Sequence, residues 1–199
     1  MDNYKNLQED IKEEEEINQQ YFKDLLKEPL KVSKHLLRVS ERFFLNATEL
    51  IAKDEIESAY SLFGVSFELL LKSILLKNNI SIIPKLEDKK TISFKKCLAC
   101  LEPLLKDIEE KEKQRINEVL NLINLRRNNY IHLSYSGFES YSHPMQVLLV
   151  FDFLVKYFLE DFERDKFLKE KMQELKEKYK VYPDTLDFQP VDFDKYLDN

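Results

Sequence analysis

The segment AYSLFGVSFELLLKSILLKNN, residues 59–79, is apolar nearly all the way round a helical wheel. It therefore reads as a helix enclosed by other helices and not as one lying on a surface. Asn78 and Asn79 supply its C-terminal stop, and Gly64 inside it marks a point of close packing. Upstream, the chain runs back to Lys31 without a proline. That length exceeds an ordinary globular helix and predicts two antiparallel helices with a bend near Lys53-Asp54. Downstream, residues 80–92 hold Pro84 and clustered charges and read as a loop. Ser93 then caps a helix with the stripe Phe94, Cys97, Leu98 and Leu101, disturbed at Pro103.

Further out, residues 4–28 predict an acidic N-terminal helix, with a broken stripe at Tyr4, Leu7, Ile11, Ile17, Tyr21 and Leu25, ended by Pro29. A long helix is expected from about Lys111 to Tyr135, and SGFESYSHP reads as a loop that delivers Pro144 to the first turn of the last core helix. Val147, Phe151, Leu154 and Phe158 share one face of that helix, which is expected to fade into the charged run FERDKFLKEKMQELKEKYK. In the tail, VYPDTLDFQPVDFDKYLDN, aspartates alternate with Tyr182, Phe188, Phe193 and Tyr196, and two prolines bar a regular helix. It reads as a strap or frayed end, or as a cover over a basic groove.

Composition agrees with an all-α chain. Two glycines and six prolines in 199 residues cannot supply the turns that many short strands demand. No glycine-rich phosphate loop is present, which removes the common nucleotide-binding α/β folds. The expected architecture is an antiparallel bundle of four to six helices in a single domain, 1–199. Its core spans about 31–160, with an N-terminal helix at 1–29, a charged helix extension at 161–180 and a tail at 181–199. MDNYKNLQEDIKEEEE lacks a basic and apolar leader pattern, and no apolar run approaches the roughly 18 uncharged residues of a membrane span, so a soluble, cytoplasmic protein without a membrane partner is expected.

The net charge of −6 is unevenly spread. Residues 1–30 carry 9 acids against 4 bases and residues 181–199 carry 5 against 1, which leaves the middle at +3. An acidic chain of this kind is compatible with an RNA substrate, though not with strong non-specific binding to duplex DNA.

The chemistry concentrates in INLRRNNYIHLSY, residues 123–135. On a helix Ile116, Leu120, Ile123, Arg127 and Ile131 gather on one seam, so Arg127 interrupts an apolar stripe. A guanidinium keeps its charge and needs an anion or a carboxylate in such a place. Asn128, His132 and Tyr135 form a polar strip about 100° away. Arg127-Asn128-x-x-x-His132 resembles the R-x(4-6)-H signature of the HEPN superfamily, helical domains that carry this motif on a late core helix. With 6 arginines and 3 histidines the bare pair has roughly 0.09 chance matches, so the asparagine and the all-α context carry much of the likeness.

The resemblance covers about residues 31–160 and implies a metal-independent endoribonuclease, often a toxin or an antiviral defence effector, that needs no cofactor. RNA supplies its own nucleophile, the 2′-hydroxyl, and the products are a 2′,3′-cyclic phosphate and a 5′-hydroxyl. His132 suits proton transfer near neutral pH, and Arg127 suits the charge that grows on the phosphorane oxygens. Asn128 either orients the imidazole or serves the helix. Five residues turn a helix through about 140°, so Arg127 and His132 of one chain do not simply face one point. A homodimer with a composite site is expected. Family toxins with nucleotidyltransferase antitoxins often have R-x4-H-x-Y, but here His132-Leu133-Ser134-Tyr135 is one residue longer, which leaves the type of any antitoxin open.

Glu68 and Lys72, at i and i+4 on the apolar helix, read as a structural ion pair or as support for the site. Lys85, Lys89, Lys90, Lys95 and Lys96 either guide RNA or lie in a solvated loop. Cys97-Leu98-Ala99-Cys100 lacks a second pair and reads as packed thiols, with no metal site. His35 reads as an amphipathic-face residue and His143 as a loop or cap residue. Two other functions compete: a non-catalytic HEPN adaptor or nucleotide-binding module, and an unrelated bundle in which Arg127 pairs with a carboxylate such as Glu68.

Overall fold

A computed structural model describes residues 20, 27–83, 90–133, 144–163, 166–180 and 193–197. Among them the chain forms six α-helices and no strand: α1 Pro29–Ala52, α2 Ile56–Lys77, α3 Phe94–Leu101, α4 Glu110–Leu133, α5 Pro144–Leu159 and α6 Lys166–Lys180. The expected N-terminal helix lies outside the described residues, apart from Gln20, Lys27 and Glu28. Pro29 acts as the first residue of α1, where its missing N–H costs nothing.

The bend at Lys53-Asp54 is a left-handed stop. Asp54 has φ 63°, Glu55 N–H donates to Leu50 C=O at 2.9 Å, and Asp54 N–H donates to Ile51 C=O at 3.1 Å. Helix α2 ends the same way: Asn79 has φ 58°, with Ile80 bonding back to Leu75 and Asn79 to Leu76. Both are Schellman closures, which use a residue tolerant of positive φ to satisfy the last carbonyls.

Helices α1 and α2 are stitched by two reciprocal serine pairs. Ser33 Oγ donates to Ser73 C=O at 2.7 Å and Ser73 Oγ to Ser33 C=O at 2.8 Å. Ser40 and Ser66 do the same, both at 2.9 Å. Small side chains let the backbones approach, and the paired bonds fix the antiparallel register. Helix α2 also touches α3, α4 and α5, as expected of a central helix. By length and composition it could cross a membrane, yet 72% of its most apolar stretch is buried inside the protein and Glu68 and Lys72 interrupt it. Phe44, Phe63, Phe67 and Phe151 form the aromatic centre, with Phe44 stacked on Phe151 at 4.0 Å.

Ser93 caps α3 by accepting from Lys96 N–H, Phe94, Cys97 and Leu101 are buried, and Pro103 converts the next residues to a 3-10 turn, Glu102–Leu105. Helix α5 is enclosed more fully than its one-face stripe suggests, since Leu148, Val150, Phe153 and Val155 are buried as well. It does not extend into the charged run. The chain turns at 160–163, because Phe162 is drawn into the core beneath the ammonium groups of Lys34 and Lys77, at 5.4 and 5.2 Å. Lys77 also binds Phe158 C=O and Asp161. Helix α6 is therefore separate.

The described part of the tail is a strap. Phe193 is buried and stacks on Phe153 at 4.5 Å, and Tyr196 Oη accepts from Glu109 N–H at 3.1 Å. Lys195 bonds to Glu109 and Glu112. Where it is described, the tail thus meets acidic residues at the start of α4 and not a basic groove. Residues 181–192 lie outside the described residues.

Candidate functional site

One row of α2, spaced four residues apart, builds the site: Tyr60, Gly64, Glu68 and Lys72. Helix α4 is laid along this row by Ile116, Leu120 and Ile123, each fully buried. The next position on that seam is Arg127, whose side chain is 24% exposed. Its stem crosses Gly64, and its head donates from Nη1 to Glu68 Oε2 at 2.6 Å. The preceding residue, Arg126, places its guanidinium 4.3 Å from the Tyr60 ring centroid.

Glu68 is shared. Its other oxygen, Oε1, accepts from Lys72 Nζ at 2.6 Å, and Lys72 also donates to Thr91 Oγ1 at 2.9 Å. Side-chain exposures of 9% for Lys72 and 18% for Glu68 put the pair inside the protein surface. Nε of Arg127 is buried without a hydrogen-bond partner among the described residues. Burial pushes the Cys97 thiol up to about 12, and it feels both Lys72 and Glu68. At neutral pH that thiol stays protonated and adds no negative charge. Two cations therefore share a single carboxylate, and the trio keeps one net positive charge. A half-buried cationic site of this kind favours an anion, because low dielectric strengthens the attraction.

Of the residues singled out in the sequence, Arg127, Glu68 and Lys72 are brought into one bonded chain. Asn128 is exposed on the next position of α4. His132 lies in the last turn of α4, one turn beyond Asn128, and is described through its helical backbone alone. An ideal helix separates it from Arg127 by about 7.5 Å along the axis and about 140° around it. Tyr135, His143, Lys85 and Lys89 lie outside the described residues. Lys90, Lys95, Lys96 and His35 are exposed.

Thr91, Gly64 and Arg126 join the site without having been expected there as partners. Thr91 is delivered by the closure of its loop, in which Ile92 N–H donates to Ile82 C=O at 2.8 Å while both isoleucines are buried. Among the described residues no group of three metal-ligating side chains occurs. Comparison with family models, with curated proteins and with solved structures returns no match.

Proposed function

We propose that the chain is a metal-independent endoribonuclease of the HEPN type, a toxin or antiviral defence effector. The observation that carries this reading is the uncompensated positive charge of the Lys72–Glu68–Arg127 chain, whose Arg127 end lies on the helix that carries His132. Glu68 takes Nη1 of Arg127 and leaves Nη2 for a non-bridging phosphate oxygen. The 2′-hydroxyl attacks the adjacent phosphorus, one His132 imidazole takes its proton, and the 5′-oxygen departs with a proton from a second imidazolium. The phosphorus keeps both ribose oxygens of one nucleotide, giving the 2′,3′-cyclic phosphate. Arg127 stabilises the charge on the phosphorane. The 140° offset within one chain supports a homodimer that pools two motif helices.

The test uses purified wild type and His132→Ala, incubated with mixed cellular RNA in excess EDTA, with product ends mapped and mass measured by light scattering. Cleavage by wild type alone, leaving cyclic phosphates, with activity confined to the dimer, is the expected result. Intact RNA under all conditions overturns it. The 2.6 Å Arg127–Glu68 bond favours a second reading, a structural clamp between α2 and α4 in a non-catalytic adaptor. In that case Arg127→Ala lowers stability and changes no activity.

A further inference from the structure

We propose that the outer face of α1 is a docking surface for the phosphodiester backbone of single-stranded RNA. Lys31, Lys34, His35, Arg38 and Arg42 are all exposed. At 100° per residue they fall within an arc of about 100°, and from Lys31 to Arg42 they run about 16 Å, roughly one cation per turn. On a chain of net charge −6 this ridge is anomalous.

Its neighbours make the anomaly sharper. The charged helix α6 interleaves both signs, with Lys166 paired to Glu170 and Lys171 to Glu174. Such pairing is what a merely solvated face uses, since like charges at i and i+4 repel. On α1, Lys31 meets the exposed Glu28, and Lys34 leans over the Phe162 ring within electrostatic reach of Asp161, whose carboxylate is held chiefly by Lys77. Among the described residues no carboxylate pairs with Arg38 or Arg42. The one acid within this stretch, Glu41, is buried and does not offset the outer face. Cations spaced closer than a Debye length reinforce one another, so the ridge is most positive at Arg38 and Arg42, away from Glu28 and Asp161.

A polyanion with regularly spaced charges complements this row. The serine register between α1 and α2 sets Arg38 level with Glu68 and Arg42 level with Gly64, so the ridge shares the height of the candidate site along α2. A strand bound on the ridge gains affinity from counterion release without any base contact. The choice of RNA rests on the ribonuclease reading above.

The experiment measures fluorescence anisotropy of a labelled 2′-O-methyl oligouridylate, which cannot be cleaved because its nucleophile is blocked. Wild type, Arg38→Gln with Arg42→Gln, and a charge-matched control, Lys166→Gln with Lys169→Gln on α6, are titrated across a salt series. The ridge variant is expected to bind about tenfold more weakly, and its slope of log K against log salt to fall by about 1.4, or about 0.7 per lost phosphate contact. The control keeps wild-type affinity. No binding by wild type, an unchanged ridge variant, or an equal loss in the control overturns the proposal. Cleavage of a dinucleotide, too short to span the ridge, is followed in parallel. If wild type cleaves it while the ridge variant binds RNA as wild type does, the docking surface fails and the ribonuclease stands. Ridge-dependent binding together with mixed cellular RNA left intact gives the reverse.

Discussion

The side chain of Arg127 lies directly across Gly64: a Cβ added at residue 64 would stand 2.4 Å from Arg127 Cδ and 2.7 Å from its Cβ. The contact is with the stem of the arginine, close to its own backbone, so it cannot be relieved by swinging the head aside. Gly64 thus sets the angle at which the guanidinium meets Glu68.

Substitution Gly64→Ala weighs two effects against each other. Alanine in a helix interior gains about 0.5–1 kcal/mol over glycine, while overpacking costs about 1–3 kcal/mol. The clash is short and involves three stem carbons, so the second effect wins, and a net loss of about 1–2 kcal/mol is expected in urea unfolding. Under the proposed ribonuclease reading, RNA cleavage is expected to fall with it, because Arg127 leaves Glu68. Unchanged or increased stability would show that α4 has room to retreat.

The shared carboxylate predicts coupling among its partners. Glu68→Gln leaves Lys72 and Arg127 as two neighbouring cations, and Arg127→Gln leaves Glu68 with Lys72 alone. Glu68→Gln is therefore the more damaging, costing about 1–3 kcal/mol. The double variant is expected to lose less than the sum of the singles, with a coupling of about 1–2 kcal/mol measured by a double-mutant cycle. Additive losses would mean that the 2.6 Å contact holds little energy.

Cys97 gives a pH dependence with a defined sign. Burial raises its thiol from 9.0 to about 12, so between those values the unfolded chain has released a proton that the folded chain keeps. Stability from this group is full below pH 9 and falls as pH rises, at up to about 1.4 kcal/mol per pH unit. Urea unfolding at pH 8 and pH 10 should show a steeper loss for wild type than for Cys97→Ala. Parallel losses in the two proteins would refute the assignment.

Much of this architecture is written locally. The apolar run of α2, the asparagines that stop it, the Ser93 cap and the Pro103 disturbance act through neighbours a few residues away. Arg127 was visible as a charge in an apolar seam, and Glu68–Lys72 as an i, i+4 pair. That they form one chain depends on how α4 crosses α2, which Gly64 permits but does not announce. Thr91 carries no periodic signal, since its meeting with Lys72 follows from the Ile82–Ile92 closure. The turn after α5 contains neither glycine nor proline, and it is set by the tertiary pull on Phe162.

The tail provides the last test, because its anchor can be separated from the site. Phe193 is 6% exposed and stacks on Phe153, while Tyr196 and Lys195 fasten the start of α4 through Glu109 and Glu112. Replacing a buried phenylalanine by alanine costs about 3–5 kcal/mol in a closed core, and less where a terminal strap can fray away, so about 2–3 kcal/mol is expected for Phe193→Ala. Arg127 lies about 25 Å along α4 from Glu110, at 1.5 Å per residue. Under the proposed ribonuclease reading, cleavage by the folded fraction is therefore expected to stay at the wild-type level while the melting temperature drops. A variant with unchanged melting temperature would show that Phe193 holds nothing. One that stayed fully folded yet gained RNA affinity or activity would show that the strap covers the site after all.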